Sequence, residues 1–191
     1  MTTIRRIELF HVAVPLPATF YPAWIPGFPQ TENRFTLLRV VTDDDVVGYS
    51  AGPAMGRERA GLGELLGPYL IGEDPTDIGL IQQRLREIAY LGWRNAWVEP
   101  AFWDIRGKLA AKPVCTLLGG APCTVGLYAS TGEVKSPPER IEEAEARFSE
   151  GFHAVKLRVH DFDEIADIRQ VKEVSAAMGH KMKIGVDANQ G

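Results

Sequence analysis

The sequence predicts an α+β region followed by the first three strands of a parallel sheet of (β/α) TIM-barrel type. Three observations carry that expectation. Short apolar strand patterns separated by polar turns open the chain, and a helical stretch follows them. From residue 125 onward, strands and helices alternate, with strand centres near Tyr128, Leu157 and Val186, about 29 residues apart. That rhythm belongs to right-handed βα units in a parallel sheet. A closed barrel of eight such units at this spacing needs about 230 residues. The chain has 191 residues in all, so it reads as the front part of something longer, with the barrel incomplete.

The elements justify themselves in order. Ile4 to Val14 is rich in β-branched and apolar residues and ends at Pro15-Leu16-Pro17. Phe35 to Thr42 and Val46 to Ala51 are two further strands joined by Asp43-Asp44-Asp45, a turn short enough for antiparallel pairing. Between the first two strands, Pro15 to Asn33 carries prolines, Phe20, Tyr21, Trp24 and Phe28 without a clean period. A loop of that length inside a compact domain is usually functional or disordered. It reads as a substrate lid, or else as an apolar loop packed on a neighbour. Helical spacing runs from Arg57 to Leu70, from Thr76 to Leu91 (Ile78, Ile81, Leu85, Ile88) and from Trp97 to Leu109. Leu117-Leu118-Gly119-Gly120 closes the region.

Val125 to Ser130 is then a strand, and Ser136-Pro137-Pro138-Glu139 is a capping box opening a helix with Ile141, Ala144 and Phe148. After Gly151 comes the strand containing Lys156. A helix with Ile165, Ile168, Val171, Val174 and Met178 follows, and the strand containing Asp187 is last.

Composition excludes some classes of partner. Hydrophobic residues make up 45% and charged residues 24%, with a formal net charge of -4. No basic stripe exists to neutralise phosphates, so nucleic acid is not an expected partner. No apolar run approaches the roughly 20 residues of a membrane span. Met1-Thr2-Thr3-Ile4-Arg5-Arg6 has no apolar stretch behind its arginines, so no signal peptide is expected. Cys115 and Cys123 form no CxxC spacing and read as reduced thiols of a cytoplasmic protein.

The chemistry concentrates on the last two strands. Side chains alternate along a strand, so Val155, Leu157 and Val159 share one face while Lys156 and Arg158 share the other. In the next strand Ile184 and Val186 share a face and Asp187 points away from it. Two cations on one parallel strand and a carboxylate on the next mark a site at the strand ends. Taken singly, Lys156 and Arg158 are also compatible with exposed edge charges, and Asp187 with a turn cap. His11, His153 and His160 read as structural or exposed, His160 lying nearest to the cations.

Phe102-Trp103-Asp104-Ile105-Arg106-Gly107-Lys108-Leu109, with Lys112-Pro113-Val114 and Leu117-Leu118-Gly119-Gly120, resembles the last helix of the capping domain in the mandelate racemase and muconate lactonizing enzyme group of the enolase superfamily. Lys156-Leu157-Arg158 resembles that group's KxK or KxR element on the second barrel strand. Val186-Asp187-Ala188-Asn189-Gln190-Gly191 resembles its metal motif on the third, and Ile71-Gly72-Glu73-Asp74-Pro75 is typical of its first domain.

The resemblance implies an α+β capping domain over residues 1–122 and a barrel beginning over residues 123–191. It implies Mg²⁺ as cofactor, a small carboxylate such as an acid sugar as substrate, and removal of the proton α to that carboxylate. A homo-oligomer is expected, since members are commonly dimers or octamers. Asp187 matches the first of three acidic metal ligands, and Asn189 a substrate or supporting position. Lys156 matches the first lysine of KxK, which orients the carboxylate or tunes its neighbour. Arg158 stands where many members carry a catalytic lysine. A guanidinium keeps its proton, so it is a poor base, whereas a lysine beside another cation can serve as one. In KxR members the base is a histidine on a later strand, which favours an acid-sugar dehydratase over a racemase, epimerase or cycloisomerase. Tyr21 and Trp24 match the loop that closes over the barrel mouth. The remaining ligands and base fall beyond Gly191. The chain alone is therefore expected to be inert, and a non-catalytic carboxylate- or partner-binding module stands as the alternative.

Overall fold

A computed structural model of the chain describes residues 2–25, 27–54, 58–91, 95–159 and 163–188. They fall into two compact units: residues 1–14 with 33–123, and residues 15–32 with 124–191.

The first unit is a sheet packed on helices. Strands β1 (Ile4–Phe20), β2 (Gln30–Thr42) and β3 (Val47–Pro53) lie in that order. β2 and β3 pair antiparallel from Phe35 opposite Pro53 to Val41 opposite Val47. The expected turn joins them. Thr42 takes the Val46 N–H on its hydroxyl at 2.9 Å, and Asp45 sits in the left-handed region at φ 62°. β1 runs six residues beyond the expected Val14 end, straight through Pro15 and Pro17. It is an edge strand, the place in a sheet where proline is tolerated.

Every second residue of β2 turns inward, with Leu38 and Val40 fully buried. They meet Leu62, Leu66 and Leu70 of α1 (Glu58–Leu70), the expected stripe Ile78, Ile81, Leu85 and Ile88 of α2 (Ile78–Ala89), and Ala101, Phe102 and Ile105 of α3 (Pro100–Ala110). α3 lies so close to β3 that a Cβ on Gly48 would fall 2.0 Å from the Ala101 carbonyl oxygen. The single helix expected from Trp97 divides into a 3₁₀ turn at Ala96–Val98 and α3 proper. Pro100 has no N–H to continue the ladder, and it takes the N-terminal position where none is needed. A short α4 (Val114–Leu117) follows.

The second unit has the expected parallel order. β4 (Ala129–Ser130), β5 (Ala154–Arg158) and β6 (Lys183–Asp187) form a parallel sheet, linked by α5 (Pro137–Ser149) and α6 (Glu164–Met178). β4 is shorter than the expected Val125 to Ser130. Its ladder begins at Ala129 opposite Val155, and β5 itself begins only at Ala154, so residues 125–127 have no β5 residue to pair with.

The capping box opens α5 as expected, with the Ser136 N–H donating to Glu139 Oε2 at 2.9 Å. Val155 and Leu157 face Ala144 of α5 and Val174 and Met178 of α6. The forward part of the α6 stripe does not join this core. Ile165 is 79% and Ile168 46% exposed, and Gln170 takes the buried place in that turn. Among the described residues no helix is long and apolar enough to cross a membrane.

Candidate functional site

The packing of Val155 and Leu157 leaves Lys156 and Arg158 on the opposite face of β5, because side chains alternate. Register does the rest. Arg158 stands opposite Asp187 and Lys156 opposite Gly185 on parallel β6. Lys156 Nζ and Arg158 Nη1 both lie 2.9 Å from the same oxygen, Asp187 Oδ2. Their side chains are 22% and 11% exposed and that of Asp187 is 29% exposed. Water therefore reaches the cluster without dominating it. Gly185 adds no side chain between them, and a cavity of about 350 Å³ runs from Lys156 toward the start of the two strands, lined also by Tyr128, Ala154, Lys183 and Gly185 but not by Arg158 or Asp187.

The end of β4 fastens this face from behind. Thr131 is buried; its N–H and its hydroxyl both donate to the Lys156 carbonyl, at 3.2 and 2.9 Å, and its Oγ1 accepts the Arg158 N–H at 3.1 Å. Each cation also has an aromatic partner. Lys156 Nζ stands 5.6 Å from the centre of the Tyr128 ring, and the Arg158 guanidinium 5.2 Å from the Trp24 ring. Both separations are within cation–π range. Trp24 comes from the aromatic loop, whose backbone reaches the β4 end through Ala23 N–H to the Gly132 carbonyl (2.9 Å) and Tyr21 N–H to Glu133 Oε1 (2.8 Å).

Of the residues expected at a site, the structure brings Lys156, Arg158, Asp187 and Trp24 together. Tyr21 contributes its backbone, while its side chain is exposed. Asn189 and His160 lie outside the described residues. His153 packs edge-on against Phe148, with ring centres 5.9 Å apart, and His11 is exposed on β1. Thr131, Gly132, Glu133 and Tyr128 were not expected from the sequence. The signal that could have found them is position. The C-terminal ends of parallel strands carry the site in TIM barrels, and Thr131, Gly132 and Glu133 directly follow β4, whereas Tyr128, just ahead of it, carried no such signal.

Chemically, two cations facing one carboxylate leave a net positive pocket suited to a carboxylate ligand. Asp187 also offers a hard oxygen of the kind Mg²⁺ takes. It supplies one such donor. Among the described residues no group of three or more His, Cys, Asp or Glu side chains could hold a metal ion.

Residues 6–119 match the family model described as mandelate racemase / muconate lactonizing enzyme, N-terminal domain. The chain is 30% identical to the cis-3-hydroxy-L-proline dehydratase of Roseibium aggregatum, over 98% of this chain and 53% of that protein. It is 30% identical to the arabinonate dehydratase of Saccharolobus solfataricus, over 86% of this chain and 48% of that one. Among solved structures, a substrate-liganded complex of the L-Ala-D/L-Glu epimerase of Bacillus subtilis superposes with a TM-score of 0.84 at 27% identity, over 99% of this chain and 54% of that one. The chain thus spans about half the length of the curated relatives it matches.

Proposed function

The chain belongs to the mandelate racemase / muconate lactonizing enzyme family, and on that premise we propose that the intact protein is a Mg²⁺-dependent enzyme that removes the proton α to a substrate carboxylate. An acid-sugar dehydratase is the form of the reaction that its residues favour. One observation carries the reading. Lys156 and Arg158 converge on Asp187 at the ends of neighbouring parallel strands, on the face turned away from the core.

The proposed roles follow from the chemistry of each side chain. Arg158 presents a planar fork of donors to a carboxylate and keeps its charge throughout. Lys156, a compact cation, orients the same group from the neighbouring position and offsets negative charge as the α-proton leaves. Asp187 is one ligand of Mg²⁺, which when bound offsets the charge that develops on the carboxylate oxygens. Tyr21, Trp24 and Asn189 contact the rest of the substrate. The base lies outside this stretch of chain, and the capping domain and barrel start divide at residues 122 and 123. We place the protein in the cytoplasm as a homo-oligomer.

The test is exchange of the α-proton of an acid sugar in deuterated solvent. The intact protein is expected to exchange it on one face only. Arg158→Lys, which restores a titratable amine at this position, is expected to add exchange from the second face. Two-face exchange by the unsubstituted protein would overturn the dehydratase reading and favour a racemase or epimerase. The half-length coverage of the relatives favours a second reading for the 191-residue chain alone, a carboxylate-binding module without turnover. Metal-dependent turnover by that chain would overturn it.

A further inference from the structure

Three consecutive residues after β4 hold two things that lie far apart in sequence. Thr131 fixes the backbone of the cation strand through Lys156 and Arg158. Gly132 takes the Ala23 N–H on its carbonyl, and Phe20 lies against its missing side chain. A Cβ there would fall 2.6 Å from the tip of the Phe20 ring and 3.6 Å from the Trp24 ring. Glu133 accepts the Tyr21 N–H on its carboxylate, while its carbonyl accepts from Arg140, which is wholly buried. Phe20 and Trp24 pair at 5.8 Å with their planes 57° apart. The loop tip is therefore seated by backbone bonds and by the space at Gly132. Trp24 itself remains 47% exposed, so its ring is held in place without being part of the core.

We propose that Trp24 is a positioning residue for Arg158, and that Gly132 and Glu133 form the latch that holds Trp24 over it. An arginine side chain loses much conformational freedom when one orientation is imposed on it. A ring over one face of the guanidinium confines the plane and leaves the N–H edge for a carboxylate. Here Arg158 Nη1 lies 2.9 Å from Asp187 Oδ2 while the guanidinium carbon stands 5.2 Å from the centre of the Trp24 ring. The consequence for turnover rests on the function proposed above, whereas the positioning itself does not.

The test reads Arg158 directly. In the ¹⁵N-labelled protein its Nε–H resonance is identified by its loss in Arg158→Lys. A ring over the guanidinium displaces that resonance. Trp24→Leu is expected to abolish the displacement, and Trp24→Phe to retain part of it. Gly132→Ala is expected to reproduce Trp24→Leu, although the new methyl meets Phe20 and Trp24 rather than Arg158. Because Trp24 lies half exposed, its replacement leaves the core intact, and methyl spectra check this. An unmoved Arg158 resonance in folded Trp24→Leu overturns the positioning role. Movement in Trp24→Leu but none in Gly132→Ala overturns the latch. In the intact enzyme, Trp24→Leu is expected to lower kcat/KM for a carboxylate substrate about fivefold, the scale of one cation–π contact. A moved resonance without any turnover would count against the proposed reaction and leave the positioning role standing.

Discussion

The two units solve the problem of stability in different ways. The first unit buries apolar side chains from a sheet face and its helices, and among its described residues the buried polar ones are few and short: Thr36, Thr42 and Asn95. The second unit has a smaller apolar cluster, and among its buried residues are Arg140, Arg158, Thr131 and Gln170. Apolar burial is indifferent to direction, so the first unit needs only the right pattern and volume. Buried polar groups need partners at defined angles, so the second unit fixes where its side chains point at some cost in stability. The difference teaches that the unit carrying the candidate site is the one that trades apolar core for directed polar contacts.

The largest expected effect is in the first unit. Phe102 is fully buried among Leu38, Val40 and the helix stripes. Phe102→Ala removes its transfer energy and leaves a cavity, at a cost of about 3–5 kcal/mol. A denaturant titration of the purified variant measures it. The next effect is in the second unit. Arg140 donates to Glu143 and to the Glu133 carbonyl, and burial lowers its pKa. Arg140→Met keeps much of the volume but leaves the Glu133 carbonyl without its donor. Glu143 still has Lys135 at 3.5 Å. The expected cost is about 2 kcal/mol. A cost above that of Phe102→Ala in the same titration would break the comparison, because the polar network would then outweigh the core.

The same contrast decides what could be read from the sequence. The first unit was legible where periodicity reports burial: the α2 stripe is all buried, as spaced. It was less legible where the sheet order decides. Pro15 and Pro17 look like a strand end, and they are tolerated because β1 is an edge. In the second unit, alternation placed Val155 and Leu157 inward and the cations outward, and the capping box placed the start of α5. Ile165 and Ile168 misled, since helical spacing identifies a face but not how far along the helix a neighbour covers it. The contacts of Trp24 with Arg158 and of Tyr21 with Glu133 had no local signal, because they join residues more than a hundred positions apart. Gly132 was silent for the same reason: a missing side chain matters only once Phe20 is known to lie against it.

The smallest expected effect is a titration that both units share, and it asks whether their exposed carboxylates behave alike. In the second unit the Ser136 hydroxyl, then the Ser136 N–H, hold the Glu139 carboxyl below its ordinary value of 4.5. In the first unit the Thr3 N–H lowers Asp43, and the hydroxyls of Thr2 and Thr42 lower Asp44, from an ordinary value of 3.8. A carboxyl whose pKa is depressed on folding binds protons less readily in the native state than in the unfolded one. Its contribution is therefore present above the unfolded pKa and is lost as pH falls through the folded pKa. Stability is expected to decline from about pH 5 downward. Ser136→Ala should remove the Glu139 share of that decline, so the gap between variant and parent is largest near neutrality and narrows in acid. Thr2→Ala should do the same for Asp44. Denaturation midpoints measured from pH 7 to pH 3 check both. A gap that stays constant across that range would show that the hydroxyl acts on the backbone alone, without favouring the charged carboxylate. A narrowing at only one of the two sites would extend the contrast between the units to their surfaces.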